Sequence, residues 1–185
     1  VGPSGARQVC KACNQIAVLT NLATDTVLVV DISNILNPNL VDTIVDTVRL
    51  NEVQGVQPIP GTPYFVTIAD NSGIVCCIDV STPSNAVIRF CGYFQAVQNL
   101  HVADNWNILD STPPVMMFPH LDHDQVILIN LDDPDYFEVM GVLEISGSSL
   151  VGAHMAVIDG DIVGFLRNAS NITSIDVPSC FGITP

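Results

Sequence analysis

The chain has 185 residues, of which 48% are apolar, so it suits one domain or two small ones with a hydrophobic core. Five Lys and Arg residues oppose nineteen Asp and Glu residues, for a formal net charge of −14. Such a field repels phosphate backbones and anionic lipid, and no apolar run reaches the roughly 18 residues of a membrane span. We therefore expect no nucleic-acid partner and no membrane span.

The main organising signal is an internal repeat. Four segments each consist of an apolar strand that ends in a polar step, at Asp31, Asp79, Asn130 and Asp176. The steps are 48, 51 and 46 residues apart, and Pro or Asn-Pro follows each of them. Periods of this size are typical of propellers, arrays and solenoids.

Taken in chain order, each repeat is predicted to place one strand before the step, the step-bearing strand next, and a third strand after the proline. The strand before the step is predicted at residues 15–20, 64–69, 114–118 and 155–158. The strand after the proline is predicted at residues 40–47, 86–94 and 136–145. No long amphipathic helix is predicted.

These units predict an all-β fold of four tandem antiparallel sheets, which form a small, four-bladed, β-propeller-like domain. We expect one domain over residues 1–185, with repeats of approximately 10–50, 51–97, 98–146 and 147–185. Apolar residues occupy both parities of central strands such as 27–30 and 126–129, which indicates burial on both faces. A helix-free sandwich is the alternative, and the fixed period favours the propeller.

The two ends of the chain raise a question of closure. The fourth repeat stops soon after its step without an outer strand, whereas residues 1–9 precede the first repeat as spare chain. The N-terminal segment is expected either to complete the last sheet of its own molecule or to pair with a neighbouring molecule. The second arrangement would generate a head-to-tail fibre.

Residues 68–83 carry a resemblance to a known family. The run Ile68-Ala69-Asp70-Asn71-Ser72-Gly73, followed by an apolar strand that ends in Ile78-Asp79-Val80-Ser81 and then Pro83, resembles the LVIVD repeat of bacterial and archaeal surface β-propellers. Residues 26–38 are similar to the latter half of that repeat. Asn130 replaces the Asp in the third repeat, and the fourth repeat matches less well. The resemblance implies a propeller at a cell surface and carries no catalytic residues.

The cysteines indicate an oxidising compartment. Six of them form an even set, which allows 15 pairings: Cys10, Cys13, Cys76, Cys77, Cys91 and Cys180. Adjacent Cys76 and Cys77 point to opposite faces of one strand, so only one of them is expected to reach Cys91. Cys10 or Cys13 is expected to meet Cys180, although the Cys10–Cys13 spacing also fits a redox or zinc dithiol.

Further features indicate export. Asn168 and Asn171 begin consecutive N-glycosylation sequons, which function only in a secretory or surface context. The chain starts at Val1 without a signal-peptide pattern, which indicates a processed form or a fragment. We expect a secreted or cell-surface protein.

The densest group of candidate metal ligands is His120, Asp122, His123 and Asp124. Imidazoles and carboxylates at this spacing in a turn can share zinc or manganese. The alternative is a polar, solvated loop between two strands. Trp106, with polar neighbours, is a candidate for ligand stacking or for core packing.

Two further metal sites are considered. His101 and His154 are placed near the starts of their repeats, where innermost propeller strands line a central channel, so they are candidates for a metal or anion site or for satisfied core histidines. Asp132, Asp133 and Asp135 supply hard oxygen ligands suited to calcium, although an Asp-rich turn beside Pro needs no ion. No cofactor is assigned beyond these Ca²⁺ or Zn²⁺ candidates.

The leading functional prediction is an extracellular, non-enzymatic interaction or structural module. Its partners would be itself, in an oligomer or fibre formed through the N-terminal strand, or other surface proteins and glycans. The sequence holds no Gly-x-Ser-x-Gly, phosphate-loop or His-Glu-x-x-His motif. The alternative is a secreted metal-dependent hydrolase or lyase that acts on a glycan or lactone.

Overall fold

The computed structural model describes residues 6–11, 15–69, 73–94, 106–120, 125–144, 150–158, 161–168 and 172–176. These residues form fifteen β-strands and one short 3-10 helix, Pro83–Asn85. Within them, no helix has the length and apolar character that crossing a membrane requires.

The strands belong to four antiparallel sheets, and within each sheet the spatial order follows the sequence order. The first sheet contains β1 (Ala6–Lys11), β2 (Ile16–Asn21), β3 (Thr26–Asp31) and β4 (Asn39–Val45). The second contains β5 (Val53–Pro58), β6 (Tyr64–Ala69), β7 (Ile74–Asp79) and β8 (Val87–Tyr93). The third contains β9 (Asn107–Leu109), β10 (Val115–His120), β11 (Gln125–Asn130) and β12 (Glu138–Glu144). The fourth contains β13 (Leu150–Ile158), β14 (Asp161–Asn168) and β15 (Ile172–Asp176).

The predicted fold class is therefore confirmed: the protein is all-β, with four tandem antiparallel sheets in a propeller-like fold. The chain divides into two compact units, residues 1–103 and 104–185, and each unit contains two of the sheets. The single domain expected over residues 1–185 stays a prediction.

The predicted polar step ends the third strand of every sheet, at Asp31, Asp79, Asn130 and Asp176. In the first three sheets its side-chain Oδ1 accepts a hydrogen bond from the backbone N–H two residues later. The N···O distances are 2.8 Å to Ser33, 2.8 Å to Ser81 and 2.9 Å to Asp132. This local turn satisfies the backbone where the ladder stops, which explains why only Asp or Asn occupies the position.

The residue after the step closes the turn from the other side. Its N–H donates to the carbonyl that precedes the second strand, from Ile32 to Gln15 at 2.8 Å and from Val80 to Pro63 at 3.0 Å. In the third sheet, the Leu131 N–H donates in the same way to the Pro114 carbonyl at 2.9 Å. The three repeats thus share one hydrogen-bond pattern, although their sequences differ.

The first two sheets pack face to face through apolar side chains. The face of the first sheet that packs on the second, here called its forward face, consists of Ile16, Val18, Val27 and Val29. The face of the second sheet that packs on the first, here called its rear face, consists of Phe65, Thr67, Cys76 and Ile78. The apolar members of both faces belong to one buried cluster, together with Leu50, Val53 and Val56. Burial of this cluster supplies the main stabilisation of the first unit.

A buried hydrogen bond also joins the two sheets. The hydroxyl of Thr20, on β2, donates to the carbonyl of Gln54, on β5, at 3.0 Å. Thr20 is fully buried, so this bond compensates for removing a polar side chain from water. Its direction confirms that the face of β2 that carries Val18 points toward the second sheet.

The N-terminal strand corrects one expectation. β1 pairs with β2, with Cys10 opposite Val18 and Lys11 opposite Ala17. Ala6–Val9 therefore belong to the innermost strand of the first sheet and are not spare chain for the fourth sheet. The innermost strands β5 and β9 were likewise not predicted.

The fourth sheet corrects a second expectation. The predicted strand at residues 155–158 is part of β13, which is innermost, and not the strand before the step-bearing strand. That place belongs to β14, which pairs with β13 on one side and with β15 on the other.

The step yields a prediction about stability and pH. Asp79 accepts hydrogen bonds from Ser81 and from Arg89. Partial burial tends to raise the pKa of Asp79, but these bonds outweigh it and lower the pKa below its ordinary value of 3.8. The ionised Asp79 carboxylate therefore stabilises the fold at pH values above its ordinary pKa of 3.8. This contribution is lost as the pH falls through the lowered pKa of the native state. Asp79→Ala should lower the free energy of unfolding by about 1–2 kcal/mol at neutral pH, measured by urea denaturation.

Asp79→Asn is the matched control, because Asn130 makes the same turn in the third sheet. It should retain more stability than Asp79→Ala and should lose less stability than the wild type on acidification. Equal destabilisation by Asn and Ala would contradict the assigned role of the Oδ1 atom.

Candidate interaction surface

The outermost strands of three sheets carry apolar side chains in solvent. β4, β8 and β12 each pair on one side only among the described strands, so each leaves a row of backbone groups at a sheet edge. Large apolar side chains stand exposed along all three strands: Leu40, Val45, Val87, Tyr93, Val139 and Val142. Each of these strands has a register shift of the kind that protects natural edge strands from pairing, so it is the exposed apolar side chains that offer a surface to other molecules.

The most exposed apolar side chains lie in the connection between β3 and β4. Ile35 is 78% exposed and Leu36 is 93% exposed. The backbone around them is held by Asn34, whose side-chain oxygen accepts from the Leu36 N–H at 3.2 Å and whose carbonyl accepts from the Asn37 N–H at 2.9 Å. A defined turn thus presents two apolar side chains to solvent. We call residues 35–40, which also include exposed Leu40, the apolar segment.

The strand that follows the apolar segment is fixed to the second sheet. Asp42, on β4, accepts a hydrogen bond from the backbone N–H of Ala86 at 2.6 Å. The 3-10 helix Pro83–Asn85 directly precedes Ala86 and packs against β3 and β4. This connection therefore joins the outer parts of the two sheets next to the apolar segment.

An ion pair marks the end of the second sheet. Arg89 approaches Asp79 at 3.3 Å and lies over the ring of Tyr64, 5.4 Å from its centroid. In the same unit, the Arg49 backbone N–H and its guanidinium both bind Asp46, at 2.7 Å and 2.6 Å. The first of these bonds is the main reason that the pKa of Asp46 is lowered. Both cations therefore neutralise local carboxylates.

The cysteine prediction is resolved for one pair. Cys76 and Cys91 lie directly opposite each other on β7 and β8 and form a disulfide, with their Cα atoms 4.1 Å apart. Cys77 is buried on the opposite face of β7. Cys10 lies on β1, whereas Cys13 and Cys180 lie outside the described residues, so their pairing stays a prediction.

The Asp-rich segment after the third step forms a turn. Asp132, Asp133 and Asp135 are exposed. Asp133 uses its side chain to accept from the Asp135 N–H at 2.9 Å and its carbonyl to accept from the Tyr136 N–H at 3.1 Å. The described part of the chain contains no group of three or more His, Cys, Asp or Glu side chains arranged to hold a metal ion.

The structure places some of the other candidate residues. His120 ends β10 and His154 lies within β13, and these two strands pack together in the second unit. Asn168 ends β14. His101, Asp122, His123, Asp124 and Asn171 lie outside the described residues.

Trp106 packs in the core. It precedes β9 and is only 3% exposed, so it does not offer its ring to an external ligand. Of the two roles that its sequence context allows, the structure favours core packing.

Comparison with known proteins defines the fold alone. No family model matches the chain, and no curated protein matches it. Hydrazine synthase from Kuenenia stuttgartiensis is similar in structure, with a TM-score of 0.64 and 10% identity over 96% of this chain and 47% of that chain. A putative 6-phosphogluconolactonase from Bacteroides fragilis has a TM-score of 0.63 and 15% identity over 77% of this chain and 40% of that chain. Sqt1 from Saccharomyces cerevisiae has a TM-score of 0.58 and 12% identity over 90% of this chain and 45% of that chain.

This chain thus spans about half the length of the structures that it resembles. At these identities the likeness places the protein among all-β, propeller-like proteins. Such folds support many unrelated functions, so the function must be argued from the surface.

The disulfide generates a prediction. The bond closes a chain segment with a sequence separation of 15 residues, and a bond of this span typically stabilises a fold by about 3 kcal/mol. Reduction should lower the free energy of unfolding of the wild type by about that amount, measured by urea denaturation with and without dithiothreitol. A Cys76→Ser/Cys91→Ser variant should be destabilised to a similar degree and should respond less to the reductant than the wild type, with any remaining response due to the predicted bond to Cys180. An equal response of both proteins to dithiothreitol would contradict the assigned bond.

Proposed function

We propose that this chain is an extracellular, non-enzymatic interaction module. The observation that carries this proposal is the apolar segment, where a hydrogen-bonded turn holds Ile35 and Leu36 in solvent. Fixing two large apolar side chains outside the core gains nothing in burial for the isolated chain, and it favours association with an apolar surface of a partner.

The charge of the chain specifies the partner further. The net charge of −14 attracts surfaces of opposite sign, and the two arginines described above are already engaged with carboxylates. The partner is therefore a surface protein that offers an apolar pocket within a basic rim. Binding should weaken as ionic strength rises, since the long-range attraction is screened by salt.

Three features support an extracellular location. The Cys76–Cys91 disulfide is the kind of bond that persists in oxidising compartments. The sequons at Asn168 and Asn171 fit a secretory route. The resemblance of residues 68–83 to the LVIVD repeat of surface propellers points in the same direction.

The assembly route proposed from the sequence needs revision. Because β1 is already paired with β2 on one side, we propose a contact element other than the N-terminal strand. The apolar segment and the outer strand β4 replace it as the contact surface for a partner.

Photocrosslinking tests this role. A benzoylphenylalanine placed at Leu36 of the secreted protein should give a saturable adduct with a surface protein on intact cells of the source. The same photoreactive residue at Thr47, which is exposed and polar in the same unit, is the matched control. The adduct should be absent from the control and should weaken at high salt. Equal labelling from both positions, or no adduct from Leu36, would overturn the proposal.

A second candidate is a metal-dependent hydrolase or lyase that acts on a lactone or glycan. It is favoured by the structural likeness to a protein described as a putative 6-phosphogluconolactonase, and by the packing of the strands that carry His120 and His154. In this case the purified protein should contain stoichiometric zinc, manganese or calcium by elemental analysis. It should also hydrolyse a lactone, and His154→Ala should abolish both properties. Hydrolysis by the wild type with no change in His154→Ala would remove the assigned role of His154, and the absence of metal and of hydrolysis would remove this candidate.

A further inference from the structure

The fourth sheet exposes a face that is buried in the other three sheets. Counting back from the polar step, Ile172 of β15 is equivalent to Val27, Val75 and Val126. Those three valines are fully buried, whereas Ile172 is 73% exposed. An identical position in the repeat thus has opposite environments.

A second position shows the same contrast. Ser174 is equivalent to Val29, Cys77 and Leu128, all of which are fully buried. Ser174 is exposed, and it lies on the same face of β15 as Ile172 because residues two apart in a strand point the same way. The exposed surface therefore includes two neighbouring positions on one face of β15 rather than one isolated side chain.

The first sheet shows what this face does when it is covered. Val27 and Val29 belong to the forward face of the first sheet, which packs on the rear face of the second. The face of β15 that carries Ile172 and Ser174 is the forward face of the fourth sheet. Among the described strands, none pairs with β15 on the side that β4 occupies beside β3.

The first sheet offers the complementary surface. Its rear face includes Leu28 and Val30, which are equivalent to Cys76 and Ile78 in the second sheet. Cys76 and Ile78 are buried, whereas Leu28 and Val30 are only half-buried. One molecule thus presents an uncovered forward face on its fourth sheet and a partly uncovered rear face on its first sheet.

We propose that a second copy of this chain docks head to tail, with the rear face of its first sheet on the forward face of the fourth sheet. The contact repeats the sheet-to-sheet packing already present between the first and second sheets. Two copies that exchange these contacts would form a closed ring, whereas an unclosed rotation would extend a filament.

This inference names one partner for the proposed interaction module, but it uses a different surface from the apolar segment. The two proposals therefore fail separately. Loss of crosslinking from Leu36 leaves self-association unaffected, and loss of self-association leaves the crosslink to a surface protein unaffected.

Sedimentation velocity over a range of protein concentrations tests the docking. The wild type should populate dimers or larger species, and Ile172→Asp should weaken the association by about tenfold or more, because it places a charge where an apolar side chain would be buried. The substitution is at an exposed site, so the monomer should retain its fold, checked by circular dichroism. Val48→Asp is the matched control, because Val48 is 72% exposed and lies outside both proposed surfaces, and it should associate like the wild type.

The sequons adjoin β15, so both glycosylated and enzymatically deglycosylated protein are measured. Association in either form that Ile172→Asp weakens supports the proposal. A protein that stays monomeric in both forms at all concentrations would overturn it, as would an association that Ile172→Asp leaves unchanged.

Engineered cysteines test the head-to-tail geometry. Ser174→Cys and Val30→Cys variants, mixed under mild oxidation, should form a mixed disulfide between molecules faster than either variant forms one with itself. Ile35→Cys replaces Val30→Cys in the control mixture. Equal rates in the test and control mixtures would contradict the pairing of forward and rear faces.

Discussion

The structure depends on one constraint: a sheet of four short strands with apolar side chains on both faces cannot bury them alone. Val27 and Val29 are fully buried because the second sheet lies against them through Cys76 and Ile78. The Thr20–Gln54 hydrogen bond fixes the same contact from within the core. Each sheet therefore requires a neighbour, and within the first unit the repeat propagates because the first sheet offers the second a matching face.

The polar step makes this propagation possible. A side-chain oxygen at Asp31, Asp79 or Asn130 takes the place of a ladder partner where the third strand ends, so the backbone N–H two residues later has an acceptor while the chain turns. A register shift in the pairing with the fourth strand lies one or two residues before the step in each of these sheets. The outer strand is thereby set at the edge, where its apolar side chains reach solvent.

The sequence predicts the step-bearing strands well, because their apolar runs and terminal Asp or Asn recur at a fixed period. It does not predict the innermost strands, because β5 and β9 contain Gln54 and Asn107, polar residues that are buried. Tertiary hydrogen bonding makes that burial possible, and no local pattern signals it. The sequence does not predict the exposure of Leu36 for the opposite reason. The apolar character of Leu36 suggests a core position, and only the turn around Asn34 places its side chain in solvent.

The same face that holds sheets together within the chain is the one proposed to join two chains, and Ser174 shows how these roles can differ. The equivalent positions hold Val29, Cys77 and Leu128, which make a contact that is permanent because it forms during folding. A serine there removes apolar area from an exposed face, so the isolated chain is less prone to non-specific aggregation. Ile172 retains an anchor for a matching rear face. A forward face that has a polar side chain at Ser174 and an apolar one at Ile172 is suited to an association that is specific and reversible.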